Sequence, residues 1–318
     1  MKDLTQQILN GDIRSIARAI SIVENNAPLK EPLLDELYPF CGKAMIWGIT
    51  GAPGAGKSTL LDRIIAAERE QQRRVAVIAV DPTSPFTGGA ILGDRLRMQR
   101  HALDSGVFIR SMASRGYLGG IAGATRDVIK VFDAAGYDLI IIETIGVGQS
   151  EVEVVSLADM ILLVLVPGLG DEIQALKAGI MEIGDIFIIN KKDREGAVKL
   201  KTEVEYVLRF KNESSAPPNP VIMTAATLNE GIAEVIAAAE QYFQYLTDSG
   251  QLEQRRRQRL RQEFYDIVLT KIQQVVENHY NLTQKVERLV ELVVEHHEKP
   301  YALIEKHLNS ILKEIEQR

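Results

Sequence analysis

The sequence predicts an α/β domain whose mostly parallel sheet is covered by helices, with further helical segments before and after it. Three observations predict this. Seven apolar, β-branched runs recur at residues 44–50, 75–80, 107–110, 139–142, 160–166, 186–189 and 221–223. Each is followed by a segment of helical character, the alternation that buries a parallel sheet between layers of helices. A glycine-rich loop directly follows the first run, and polar motifs stand at the C-terminal ends of later runs, where open α/β sheets bind ligands.

In chain order, residues 1–42 read as short helices with Ile13, Ile16, Ala17 and Ile20 on one face, an N-terminal extension packed on the main domain. Residues 43–248 carry the seven runs. Pro217-Pro218-Asn-Pro220 punctuates the chain before the last predicted strand, and a helix over 232–246 ends at Asp248-Ser-Gly250. Beyond that break, residues 249–318 place apolar side chains at helical spacing in three stretches, beginning at Leu260, Leu282 and Leu303. Three helices of this length form a bundle with a thin core that gains from packing on another surface. The region is therefore expected to serve in oligomerisation, as a dimerisation region, with docking only within the chain as the alternative.

Composition excludes several classes. The chain has 318 residues, 46% of them hydrophobic, and a formal net charge of −6, which argues against a nucleic-acid-binding surface spread over the protein. A single cysteine, Cys41, rules out an internal disulfide framework or a multi-cysteine zinc site. The start Met1-Lys-Asp-Leu-Thr-Gln has no apolar signal core, and the run 160–166 is too short to span a bilayer, so a cytoplasmic protein without membrane contact is expected. His279, His296, His297 and His307 show no metal-ligand spacing. The dense basic run Arg255-Arg-Arg-Gln-Arg-Leu-Arg261 reads first as a solvated helix face, with contact to an acidic partner surface, or to nucleic acid, as the alternatives.

The loop after the first run is Gly51-Ala52-Pro53-Gly54-Ala55-Gly56-Lys57-Ser58, a complete G-x-x-x-x-G-K-[ST] pattern. Its glycines let successive backbone N–H groups turn inward around phosphates, at the positive end of the helix that follows. In this arrangement Lys57 reaches the β- and γ-phosphates, the Ser58 hydroxyl binds Mg²⁺, and Thr59 stands near the α-phosphate. Asn190-Lys191-Lys-Asp193, after the run 186–189, matches the N-K-x-D pattern that reads guanine. Asp193 accepts hydrogen bonds from guanine N1–H and its exocyclic amino group, and adenine has no amino group at that place. Thr224-Ala225-Ala226, after the last run, takes the place where a main-chain N–H meets guanine O6, with Ala225 where serine is usual. Glu143-Thr-Ile-Gly146 has the spacing of the D-x-x-G switch with glutamate for aspartate. The Glu143 carboxylate can hold Mg²⁺ and the Gly146 N–H can sense the γ-phosphate, while Asp81 and Asp94 are further candidate oxygen ligands.

The stretch from Asp81-Pro-Thr-Ser-Pro-Phe-Thr-Gly-Gly to Asp94, together with Tyr117-Leu-Gly-Gly120, Glu143-Thr-Ile-Gly-Val-Gly-Gln-Ser-Glu151 and Pro167-Gly-Leu-Gly-Asp-Glu-Ile-Gln174, resembles the MeaB/ArgK family. The resemblance implies a P-loop NTPase of the SIMIBI-like G-domain type that binds GTP or GDP with Mg²⁺ and forms a homodimer. It also implies a chaperone of an adenosylcobalamin-dependent acyl-CoA mutase, foremost methylmalonyl-CoA mutase, gating B12 loading and protecting or reactivating the enzyme. Three mobile regions would fall at 83–116, 146–154 and 168–179, the last with Asp171, Gln174 and Lys177 on one helical face. Arg97 is the candidate to stabilise charge on the transferring phosphoryl group, and Gln149 the candidate to orient water. The segment after Arg110 lacks the proline usual in the family.

Other readings make different demands. A GTP-dependent metal-insertion factor is expected to carry a Cys- or His-rich metal store. An ATP-driven transport component conflicts with the guanine pattern at 190–193. Isobutyryl- and hydroxyisobutyryl-CoA mutases are alternative clients of the same chaperone role.

Overall fold

The structure, a computed structural model, describes residues 2–81, 99–101, 103–113, 120–144, 153, 155–168, 180–211, 219–280, 282–296 and 299–316. Seven strands form one sheet: β1 (Met45–Gly51), β2 (Val75–Asp81), β3 (Val107–Ala113), β4 (Leu139–Thr144), β5 (Met160–Leu165), β6 (Ile186–Ile189) and β7 (Val221–Met223). Their order is β3-β2-β4-β1-β5-β6-β7, and every pairing is parallel. From β1 the chain runs to β2 on one side, and the link from β4 to β5 crosses to the other side of β1, so the connections diverge about β1 and open a crevice beyond its C-terminal end.

Side chains alternate between the two faces with the strand period of two. Ile46, Ile78, Val80, Ile140 and Ile142 join one core cluster with the N-terminal helices α1 (Lys2–Leu9), α2 (Ile13–Glu24) and α3 (Lys30–Leu37). Trp47, Ile49, Val77, Leu139 and Ile141 face the other way, against α4 (Lys57–Glu70). The first cluster is completed by α5 (Gly120–Ala134). The short α6 (Ile180–Ile183) precedes β6, and α7 (Ala197–Lys211) covers Leu163, Leu165, Phe187 and Ile189. The second cluster is closed by α8 (Ile232–Asp248), which ends in a turn with Gly250 at φ +73°. The apolar face of α2 differs slightly from expectation: Ile16, Ala19, Ile20 and Val23 are buried, whereas Ile13 is 46% exposed at the first helical position.

The chain divides into two compact units, Met1–Arg259 and Leu260–Arg318. The second contains the rest of α9 (Gln251–Tyr280), with α10 (Leu282–His296) and α11 (Pro300–Glu316), three helices as the spacing predicts. Many of its large apolar side chains stand in solvent, among them Phe264, Val268, Ile272 and Val275 on one side of α9. Among the described residues no helix is long and apolar enough to cross a membrane.

The basic run at the start of α9 corrects the reading of a solvated face. Arg255, Arg256 and Arg259 turn inward onto carboxylates at the N-terminal edge of the sheet, and of the run's arginines only Arg257 and Arg261 are exposed. Asp159, fully buried, accepts from Ile46 N (3.1 Å) at the start of β1, from Arg256 Nη2 (2.6 Å) and from Arg259 Nη2 (2.5 Å). Asp185 likewise accepts from Ile161 N (2.9 Å) and Tyr242 Oη (2.8 Å), and pairs with both Arg255 guanidinium nitrogens. Burial opposes the charge on Arg255 and Arg256. Their hydrogen bonds and attraction to Asp185 and Asp159 outweigh it, so both pKa values stand above the ordinary arginine range.

Candidate functional site

The site begins with backbone that only glycine tolerates. Gly51 closes β1 at φ +146°, where a Cβ would lie 2.2 Å from the Val164 carbonyl oxygen of β5. Gly54 and Gly56 also have positive φ, and a Cβ on Gly56 would lie 2.5 Å from Asn190 Nδ2. The chain then enters α4, with Leu60 N donating to Gly56 O at 2.9 Å. Lys57 is 5% exposed and gives its ammonium to Gly51 O (2.7 Å) and Ala52 O (3.1 Å), so the cation is held over the loop by carbonyl dipoles. An anion entering the loop offers that ammonium a stronger, charge-assisted partner. Pro53, Gly54 and Thr59 are exposed, and Ala55 is buried.

Two motifs far apart in sequence meet this loop. Ser58 Oγ donates to Glu143 Oε1 at 2.7 Å, joining the first turn of α4 to the end of β4, where Glu143 is 3% exposed. The parallel register sets Glu143 beside Ile49 of β1, and Thr144 and Thr50 share a hydroxyl hydrogen bond of 3.1 Å. A hydroxyl and a carboxylate at this separation are hard oxygen donors suited to Mg²⁺, which takes few protein ligands and completes its shell with phosphate and water. Among the described residues no group of three or more His, Cys, Asp or Glu side chains could hold a metal ion. Asp81 ends β2 beside Ala113 of β3. Asp94, Arg97, Gly146 and Gln149 lie outside the described residues, as do most of 83–116, 146–154 and 168–179.

Asn190, 2% exposed, ties three loops together. Its Nδ2 donates to Ala55 O (2.9 Å), while its Oδ1 accepts from Thr224 Oγ1 (3.0 Å) and Ala226 N (3.2 Å). Lys191, at φ +59°, reaches back to Gly54 O at 2.7 Å, and Asp193 is exposed beside it. The main-chain donors of the Thr224-Ala225-Ala226 segment are engaged within the protein: Thr224 N on Ile189 O, Ala225 N on Glu230 O, and Ala226 N on Asn190. Phosphate loop, switch carboxylate and N-K-x-D motif thus converge on the C-terminal ends of β1, β4 and β6. The family profile described as Methylmalonyl Co-A mutase-associated GTPase MeaB matches residues 16–281.

This chain belongs to the MeaB family. A putative GTPase of Pyrococcus abyssi is 51% identical to it over 269 residues, 84% of this chain and 83% of that protein. GTPase ArgK of Escherichia coli is 39% identical over 263 residues, 80% of this chain and 79% of that one. Among solved structures, that of a LAO/AO transport system kinase superposes with a TM-score of 0.73 at 26% identity, covering 98% of this chain and 97% of its own. As a MeaB-family member the chain is a GTP-hydrolysing enzyme with a P-loop fold.

Three contacts around the MeaB site were not read from the sequence. Arg63 Nε of α4 donates to Ala226 O (3.1 Å), Lys192 N donates to Thr224 O (2.9 Å), and Lys192 Nζ pairs with Glu230 Oε2 (2.9 Å). Arg63 and Ala226 are 163 positions apart, and no local pattern marks either as a partner.

Proposed function

We propose that the chain binds GTP with Mg²⁺ at the 51–58 loop, reads guanine through Asn190 and Asp193, and uses hydrolysis to GDP and phosphate as a switch acting on an adenosylcobalamin-dependent acyl-CoA mutase. The observation that carries the nucleotide half is Asn190, whose side chain bonds the phosphate loop and the 224–226 segment at once. That coupling lets base and phosphates be sensed by one connected set of hydrogen bonds. Lys57 leaves the loop carbonyls to neutralise the β- and γ-phosphates, and Thr59 faces the α-phosphate. Asp193 accepts from the guanine edge, and Ala226 N–H, on the longest of the three main-chain bonds, is the donor a base carbonyl competes for. Ser58 and Glu143 hold the cation, with Asp81 and Asp94 as further candidate ligands. When bound, Mg²⁺ neutralises charge developing on the phosphate oxygens. Gly146 is the candidate to sense the γ-phosphate, Arg97 the candidate to stabilise charge on the transferring phosphoryl group and Gln149 the candidate to orient water.

The mutase half rests on the family's description as methylmalonyl-CoA mutase-associated. Hydrolysis can gate B12 loading, or protection and reactivation of the mutase, only if that enzyme binds the GTP and GDP forms unequally. The exposed apolar side chains at 264, 268, 272 and 275 support dimerisation through the C-terminal helices of a cytoplasmic protein. The test is GTP turnover by the purified protein, alone and with methylmalonyl-, isobutyryl- or hydroxyisobutyryl-CoA mutase, with ATP as control. Selective stimulation by methylmalonyl-CoA mutase is expected. Stimulation by none of them, with GTP still bound, rejects the client class and leaves the nucleotide site standing.

A further inference from the structure

We propose that Lys192 and Glu230 are positioning residues that hold the 224–231 turn against the N-K-x-D motif and thereby set how sharply the site separates guanine from other bases. The proposal rests on the guanine reading above. It starts from Ala225, which lacks the hydroxyl of the usual serine. Ala225 and Glu230 bond both ways through the main chain, Ala225 N to Glu230 O at 3.0 Å and Glu230 N to Ala225 O at 3.2 Å. Asn229 at φ +59° and Gly231 at φ +80° turn the chain between and after them, and a Cβ on Gly231 would lie 2.3 Å from Met223 O. The turn is therefore rigid within itself.

Thr224 N on Ile189 O and Arg63 Nε on Ala226 O anchor the segment from outside, and four bonds join it to residues 190–193 themselves. Two are made by Asn190, and the other two by Lys192, through its main-chain N–H to Thr224 O (2.9 Å) and its ammonium to Glu230 Oε2 (2.9 Å). The Lys192 and Glu230 side chains are 33% and 52% exposed, so their pairing adds little to stability. What it fixes is place. Lys192 immediately precedes Asp193, so a pull on residue 192 sets the distance between the Asp193 carboxylate and the Ala226 N–H, the two groups that read opposite parts of one base edge. Discrimination by hydrogen bonds is steep because a misplaced partner leaves polar groups unpaired, and a shift of about 1 Å is enough to blunt it.

The experiment compares GDP, IDP and ADP binding to the full chain in the wild type, Lys192→Glu, Glu230→Lys and the double exchange. IDP lacks the amino group that Asp193 accepts from. Each single reversal is expected to lower the GDP-to-IDP affinity ratio about fivefold, while IDP affinity stays within about twofold, and the double exchange restores the ratio. Glu230→Gln, which keeps the shape, moves the ratio in the same direction by less. A purely structural pair would lower the unfolding midpoint and weaken GDP and IDP together, and that result overturns the assignment, as does an unchanged ratio in both single variants. Equal wild-type binding of GDP and ADP would instead overturn the base reading, and this proposal with it.

Discussion

The two edges of this sheet solve opposite problems. At the C-terminal edge, Gly51, Gly54 and Gly56 open the backbone, Lys57 and Asn190 bond carbonyls of the loop, and Ser58 bonds Glu143, a polar set that a ligand can enter. At the N-terminal edge, Asp133, Asp159 and Asp185 cap the backbone N–H groups at or just before the starts of β1 and β5, and two of these carboxylates are closed off by arginines. Both edges bury charge. One keeps it exchangeable for a ligand, and the other leaves nothing to exchange. Substitutions at the first edge should therefore change binding, and substitutions at the second should change stability.

The largest expected effect lies at the closed edge. Asp159→Ala strands two guanidinium groups and the Ile46 N–H, and breaking a buried pair costs about 3 kcal/mol or more, to be read from urea unfolding. GTP affinity in this variant should change less than about threefold. A matching loss of affinity would break the separation between the edges. At the open edge, Lys57→Ala should weaken GTP by on the order of 100-fold in calorimetry, with a smaller change in unfolding midpoint than Asp159→Ala produces. Glu143→Gln keeps the hydrogen bond from Ser58 but removes the charge, and should raise the Mg²⁺ concentration needed for half-maximal turnover about tenfold.

The smallest effect concerns Glu68 on α4, fully buried beside Arg73, with Oε1 lacking a hydrogen-bond partner. Burial raises its pKa above the ordinary 4.5, against the lowering influence of Arg73. The folded state then binds this proton more tightly than the unfolded state, so stability falls as pH rises from about 4.5 through the raised value. Glu68→Gln should flatten that part of the stability profile, and an unchanged profile would place the dependence elsewhere.

The open edge was largely legible because its chemistry is local. Gly51 to Ser58 and Asn190 to Asp193 are contiguous strings whose spacing follows from how phosphates and guanine are held. The seven strands were legible because both faces of the sheet are covered, which leaves unbroken apolar runs such as 139–142 and 160–165. The closed edge was hidden because Arg256 and Asp159 are 97 positions apart, and charges on one helix read the same whether they face water or carboxylates. Ala225 showed what the 224–226 segment lacked, but Glu230, whose carboxylate pairs with Lys192, carries no recognisable pattern.

The arginines of α9 also bear on how the protein is made. Ile46, which begins the strand leading to the phosphate loop, has its N–H held by Asp159, and Asp159 acquires its cations only when residues 256 and 259 arrive. During synthesis, therefore, the cations that pair with Asp159 are encoded more than two hundred codons after Ile46. Until that helix emerges, Asp159 and Asp185 lack the arginines that pair with them in the folded chain. A gene trimmed at the 248–250 turn would translate every motif of the nucleotide site and none of the arginines that neutralise Asp159 and Asp185.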